Sequence, residues 1–319
     1  MPLSVKDIFG VLKARFKVGA MAHIGDAVLG IAVLAQGWAF DLTMRRAGVD
    51  IREWVLEQVR QIRDAGFVNF GMNLLFAEND RLDEDVDLIL EIRPGWVTIS
   101  ALTDPRGAVE YIRRLKAAGI YVGVLIGSLK QLNMILKYIP AELLPDFFVL
   151  EGRESGGHNG PCSLLELLQT VLPVIKKLGI VVGAAGAIGN AEMAAALFAL
   201  GIDFIQIGSP LVISEECSAH PDCKKAICSA NTTVQTGGGE YMHAVRTIPT
   251  PGALTLLRRA NNGMAKKKFL NLARGTIPRG LLLGDPNGVM LIGEGVVALK
   301  KVRPVATILA EFEVPEEVA

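Results

Sequence analysis

The chain has 319 residues, half of them apolar (50%) and about a fifth charged (21%), with 33 basic side chains against 33 acidic ones. That length suits one large domain, or one domain with an appendage, and a net charge near zero gives neither nucleic acid nor an anionic membrane a reason to bind. Four cysteines in a chain this long do not make a disulfide scaffold.

The first residues, MPLSVKDIFGVLKARFKVG, contain no apolar core flanked by small residues, so no signal peptide is expected. The longest apolar stretch, 27–40, is too short to span a bilayer and carries Gln36. The expectation is a soluble, cytoplasmic protein. Apolar runs recur at 16–21, 37–40, 67–76, 96–102, 120–127, 146–152, 180–186 and 203–209. They are rich in Val, Ile and Phe with little polar alternation, as strands buried on both faces of a parallel sheet are. Helical patterns lie between them. In 50–66, Ile51, Val55, Val59 and Ile62 recur at helical intervals and Gly66 follows; 104–119 has Pro105 in its first turn and Gly119 past its end. Segments 163–179 and 190–201 continue the series, the latter with Asn190 as N-cap.

Eight strands, nearly all followed by a helix, predict an α/β fold of the (β/α)8 TIM-barrel class. A doubly wound open sheet is the alternative, but no GxGxxG follows the first strand. After residue 210 the pattern changes to a polar, turn-rich segment. We expect a barrel formed by 1–212 plus 288–319, and a helical lid or substrate subdomain over 213–287 inserted after the eighth strand. Further helices are expected at 252–263, 264–274, 289–301 and 303–312.

A barrel carries its active site at the C-terminal ends of its strands. After the seventh strand comes GAAGAIGN (183–190), and after the eighth IGSP (207–210). Small residues leading into helix N-termini offer backbone N–H groups to an anion, and barrels often build a phosphate site from these two loops. EGRESGGHNG (151–160) ends the sixth strand on the same rim. Glu151 and His158 would face the site there, with Gly156 and Gly157 leaving room for a planar ligand beside a histidine able to shuttle protons. FGMN brings Asn73 to the end of the third strand, and VGAMAH brings Gly19, Ala20 and Met21 to the end of the first. A phosphate cradle, room for a flat ring, a polar amide and one histidine describe a site for flavin mononucleotide (FMN).

These residues resemble the nitronate monooxygenase (2-nitropropane dioxygenase) family, which includes the flavin-dependent type II enoyl-acyl-carrier-protein reductases. EGRESGGHNG is similar to the family's E-G-x-E-A-G-G-H-x-G signature. AAGAIGNAEMAAALFALGIDFIQIGS, FGMN and SEECSAHPDCKKAI resemble further family segments, while HAVR (243–246) and GDPNGVMLIGEGVVAL (284–299) look more like the reductase branch. The resemblance implies FMN on the barrel rim, its phosphate held by backbone at Gly186, Ala187, Gly208 and Ser209. Met21, Asn73 and Glu151 would line the ring and ribityl chain, and His158 would be the catalytic residue. In a monooxygenase His158 would act as base or position a nitronate while flavin and oxygen react. In an enoyl reductase, NAD(P)H would reduce the flavin and His158 would polarise an acyl thioester or protonate the product. A homodimer stays open. Three departures from the family stand out. Gln36-Gly37-Trp38-Ala39-Phe40 replaces A-G-G-L-G at the second strand, which would put the bulk of Trp38 and Phe40 beside the flavin. Ala187 replaces a glycine, and Glu294 follows Gly293 where the family has glutamine.

Cys217, His220, Cys223 and Cys228 fit no standard zinc spacing and are expected to be free thiols near a lid, with no metal. QTGGGEY (235–241) follows no clear strand and reads as a lid hinge. AKKKF (265–269) reads as a solvated helix face, with attraction for an acyl-carrier protein or a dinucleotide phosphate as the alternative. Three functions remain open at this point: a flavin oxidase or monooxygenase on nitronate-like anions, an NAD(P)H-dependent flavin reductase of an enoyl thioester or quinone, and a non-redox barrel that binds a phosphate ligand.

Overall fold

The computed structural model describes residues 3–77, 79–236 and 244–313. Eight parallel strands close into a barrel: β1 (Phe16–Val18), β2 (Ala39–Leu42), β3 (Gly71–Leu75), β4 (Trp96–Ser100), β5 (Tyr121–Ile126), β6 (Phe147–Glu151), then, after a short strand β7 (Gly157–Asn159) outside the barrel, β8 (Val181–Ala185) and β9 (Phe204–Ile207), which returns to β1. All eight expected strands are present. Helices follow them in turn, and the one after β8, Ala191–Ala199, starts at Asn190, whose side chain accepts from the Met193 N–H. Helix Val305–Ala310 closes the ring against helix Ala27–Ala35.

Several elements differ from the sequence expectation. The apolar stretch 27–40 divides into helix Ala27–Ala35, capped by Asp26, and strand β2, with Gly37 turning between them at φ 77°. The segment 163–179 is two helices, Leu164–Thr170 and Leu172–Leu178, broken at Val171 just before Pro173, which has no N–H for a continuous ladder. The helix expected at 264–274 runs as Lys266–Leu283, to a left-handed Gly284 cap. Residues 289–301 form only the 3-10 turn Glu294–Ala298. The backbone before that turn bonds elsewhere instead: Val289 N–H donates to Thr276 and Ile292 N–H to Arg246.

The insert after β9 is not helical alone. β10 (Val234–Thr236) and β11 (Ala244–Thr247) pair antiparallel, and β11 also pairs with β7. The glycine-rich turn after β6 therefore supplies the third strand of the insert's sheet. Gly237 to Tyr241 of the expected hinge, and His243 of HAVR, lie outside the described residues.

The barrel's lower interior is filled by aromatic rings. Phe9, from the N-terminal helix Val5–Phe9, meets Trp96, Phe147 and Phe204 edge-on, with centroids 4.9, 5.4 and 5.0 Å away. Each strand ring takes the space of a missing side chain on its neighbour. A Cβ on Gly71 would collide with Trp96, one on Gly123 with Phe147, and one on Gly183 with Phe204. Large and small residues thus alternate around the interior, as barrel closure requires.

Above the rings sits a fully buried ion pair. Lys17 Nζ lies 2.5 Å from Asp41 Oδ2 and donates to Thr98 Oγ1 and Gln206 Oε1, both at 2.8 Å. Asp41 Oδ1 accepts from Trp96 Nε1 at 2.5 Å. Burial pushes the Lys17 ammonium below its ordinary range, and Asp41 works against that shift. Removing one partner of such a pair strands the other charge, whereas removing both can be nearly neutral. Lys17→Met should cost about 3–5 kcal/mol in denaturant unfolding. Adding Asp41→Asn, which keeps an acceptor for Trp96, should recover more than half of that loss.

Candidate active site

The strands' C-terminal ends surround a cavity of about 320 Å³. Gly19, Ala20 and Met21 follow β1 there, and Asn73 comes from β3. Glu151 ends β6, and Gly156, Gly157 and His158 belong to the β7 turn. Gly186 and Ala187 follow β8, and Gly208 and Ser209 follow β9. Every residue expected from the sequence to bind the cofactor or act in catalysis thus lines one cavity, although the first and last are separated by most of the chain.

The two loops expected to form a cradle both border the cavity. Gly186 and Ala187 both sit at positive φ, 109° and 53°. The backbone N–H groups of Gly186, Ala187, Gly208 and Ser209 have no acceptor among the described residues. Consecutive free N–H groups at a turn make an anion-binding concavity. Ser209 Oγ accepts from Gly293 N–H at 2.9 Å, which ties the C-terminal segment to this loop.

Asn73 is held by its neighbours. Its amide donates to the Thr98 carbonyl at 3.0 Å and accepts from Ser100 Oγ at 3.2 Å. Gln206, on β9, lines the cavity with one end and reaches down to Lys17 with the other. Gly19 makes this passage: a Cβ there would fall against the Gln206 amide. Glu151 faces the cavity from the inner side of β6. Burial pushes its carboxyl up to about 8, against the pull of Lys17.

His158 is presented by the insert's three-stranded sheet rather than by a barrel strand. It pairs with Val245 of β11 in an antiparallel ladder. Arg246, on the same strand, fixes this arrangement. Its guanidinium donates to the Arg153 carbonyl at 2.8 Å and to Thr233 Oγ1 at 3.0 Å, and pairs with Glu294 at 2.8 Å. Glu294, the departure from the family's glutamine, therefore neutralises a nearly buried arginine.

One expectation is corrected here. Trp38 and Phe40 do not reach the cavity. Trp38 stacks on Phe16 at 4.6 Å and meets Phe312 edge-on, while Phe40 fills the space above Gly30 on the outer face of the barrel. The strand ends later than the sequence match placed it, so Thr43 and Arg45 occupy the rim instead. Gly156 lines the cavity, but its missing side chain makes room for the backbone of Ile292 and Gly293, and Gly157 answers a left-handed φ of 79°. Chain packing and backbone conformation account for the missing side chains of these two glycines, and both still line the cavity.

Sequence reasoning missed Lys17, Gln206, Arg45 and Gln131. Lys17 left a signal, a charge in the middle of an apolar run; the others are ordinary polar residues made relevant only by position. In the cysteine segment, His220 Nδ1 accepts from Asp222 N–H and caps helix Pro221–Ser229. Cys217 and Cys223 are buried thiols, pushed up to about 11 and about 12 by that burial. No group of three or more metal-ligating side chains occurs among the described residues, and none of their helices is long and apolar enough to cross a membrane.

A family model for nitronate monooxygenase matches residues 48–312. The chain is 31% identical over 160 residues to a probable nitronate monooxygenase of Bacillus subtilis (strain 168), covering 48% of this chain and 44% of that protein. It is also 31% identical over 156 residues to a Mycobacterium tuberculosis protein described as a (3aS,4S,5R,7aS)-5-hydroxy-7a-methyl-1-oxo-octahydro-1H-indene-4-carboxyl-CoA dehydrogenase, covering 49% and 41%. The aligned part is less than half the length of these curated relatives. Among solved structures, FabK from Thermotoga maritima matches with a TM-score of 0.82 and 26% identity over 97% of this chain and 94% of that one. Nitroalkane oxidase from Streptomyces ansochromogenes matches at 0.76 over 97% of both, but at 18% identity this is a likeness of fold alone.

The Ala187 departure has an energetic consequence. An alanine at φ 53° carries the left-handed penalty of a Cβ, and this one is exposed, so its methyl contributes no packing in return. Ala187→Gly should raise stability by about 0.5–1 kcal/mol in denaturant unfolding, the penalty being partly offset by the entropy of the unfolded glycine.

Proposed function

The chain belongs to the nitronate monooxygenase family, and from that premise we propose that it is an oxidoreductase that binds FMN in the rim cavity. One observation carries this reading. Two small-residue loops, whose backbone N–H groups have no acceptor among the described residues, meet around one cavity an amide, a carboxyl and a histidine delivered by other strands. In this assignment Gly186, Ala187, Gly208 and Ser209 hold the phosphate through their backbone. Ala20, Met21, Asn73 and Glu151 line the ring and the ribityl chain, beside Gly156 and Gly157.

Bound FMN would supply the electron-transfer chemistry, and the protein's part is to orient reactants and manage protons. His158 is assigned that second task. Its strand is clamped by β11 and by Arg246, so the imidazole reaches the cavity from the lid side. There it can hold a substrate oxyanion or move a proton at the reacting carbon. The first substrate reading is an alkyl nitronate oxidised with O2, His158 acting as base or positioning group. The second is reduction of an enoyl thioester or quinone with NAD(P)H as co-substrate. It is supported by the likeness to FabK over nearly the full length of both chains, with the lid included.

The purified protein should be yellow, or turn yellow on adding FMN; a colourless protein that takes up no FMN would leave only the non-redox, phosphate-binding reading. Under anaerobic conditions a nitronate alone should bleach the flavin if the first reading holds. Rapid bleaching by NADH or NADPH without nitronate selects the second. His158→Ala should keep its flavin colour and lose about 100-fold or more in turnover. Loss of the flavin instead would make His158 a structural residue.

A further inference from the structure

The floor of the cavity has a carboxyl group with no charged group bonded to it among the described residues. Glu151 ends β6 on the inner side of the barrel, in line with Phe147 and Val149 below it. The charge that acts on it is Lys17, across the interior on β1. An ammonium has three N–H donors. Those of Lys17 go to Asp41, Thr98 and Gln206, which leaves none for Glu151. Lys17 and Asp41 also cancel each other, so an ionised Glu151, half-buried on the cavity floor, would add one net negative charge to that layer.

Other charged groups on the cavity wall do not relieve this. Glu154 is a second acid, and its carboxylate accepts from Leu164 N–H at 3.0 Å. Arg45 is paired with Asp85 and Arg303 with Glu311. His158 enters from the lid strand. β5, β8 and β9 present Leu125, Ala185 and Gln206, all uncharged. The Glu151 carboxyl has no hydrogen-bond partner among the described residues.

We infer that Glu151 serves the site as a neutral carboxylic acid, whose O–H donates a hydrogen bond to a carbonyl oxygen or ring nitrogen of the planar heterocycle bound above it. The inference rests on the FMN reading for the identity of that heterocycle. A neutral acid is a donor and an ionised one only an acceptor. Ionisation would therefore remove the hydrogen bond and place a negative charge under an electron-rich ring. The carboxyl held up to about 8 by burial sets the direction of the effect. Below that pH the donor is present, and above it binding weakens.

The test uses flavin-free protein and FMN binding, from pH 6.5 to 9.5, in the wild type and in Glu151→Gln, which keeps a neutral donor in the same place. Taking the ratio of the two at each pH cancels the titration of FMN itself. The variant should bind within about threefold of wild type at pH 7. Above about pH 8 the wild type should lose about tenfold in relative affinity per pH unit. Infrared spectra of the flavin-free wild type at pH 7 should show the carbonyl stretch of a protonated carboxylic acid, absent from Glu151→Gln. A constant ratio across the range, a variant weaker than wild type by more than tenfold at pH 7, or no such infrared band overturns the inference while leaving FMN in place. No uptake of FMN by the wild type at any pH overturns the flavin reading and this role together.

Discussion

The ammonium of Lys17 has no water to turn to. It lies in the centre of a closed barrel, with the rings of Phe9 and Phe147 5.5–6.0 Å away on one side and the ligand cavity beyond Gln206 on the other. Desolvating a charge costs several kcal/mol, so each of its three protons must find an acceptor. Asp41, Thr98 and Gln206 meet that demand from three different strands. Asp41 in turn holds the indole of Trp96, and Gln206 lies where Gly19 has no side chain. One charge thereby sets the register of the interior between the aromatic layer and the cavity floor. It also leaves the next layer up, where Glu151 sits, without a counter-charge.

The cavity is a junction of three parts of the chain. The barrel supplies the cradle loops and the floor. The insert supplies β10 and β11, and β11 captures the turn after β6 as a third strand. The C-terminal segment, residues 289–294, then docks on the same edge of β11 as that turn and against Ser209. Arg246 lies where these parts meet, bonded to the turn, to β10 and to Glu294. The position of His158 thus depends on contacts made by residues roughly ninety and more further along the chain. His158 is held by the sheet of the insert rather than by a barrel strand.

The barrel itself was legible from local pattern. Strands buried on both faces have no polar alternation, so 96–102 and 120–127 announce themselves as continuous Val- and Ile-rich runs. Asn190 and Pro105 mark helix starts by capping chemistry that acts within one turn. The loop after β8 was legible for the same reason: at Gly186 the residue type reflects a left-handed backbone, φ 109°. The misread stretches are those whose backbone bonds go to distant partners. Residues 289–292 have a helical pattern but give their hydrogen bonds to Thr276 and Arg246. Trp38 and Phe40 look obstructive in a linear match, because only the closed barrel decides which side of β2 faces out.

By itself, then, the sequence determined the strand count, the closed α/β architecture and the set of residues gathered on the rim, because each follows from periodicity or turn chemistry within a few residues. Tertiary structure alone decided what those residues meet. It turned EGRESGGHNG from a turn into a lid strand, gave Gly156 to the passage of Ile292 and Gly293, and moved Trp38 away from the site. It also put the charge of Lys17 under Glu151 with no donor to spare. These outcomes depend on distances between strands far apart in the chain, and on the dielectric between them, and no local pattern encodes either.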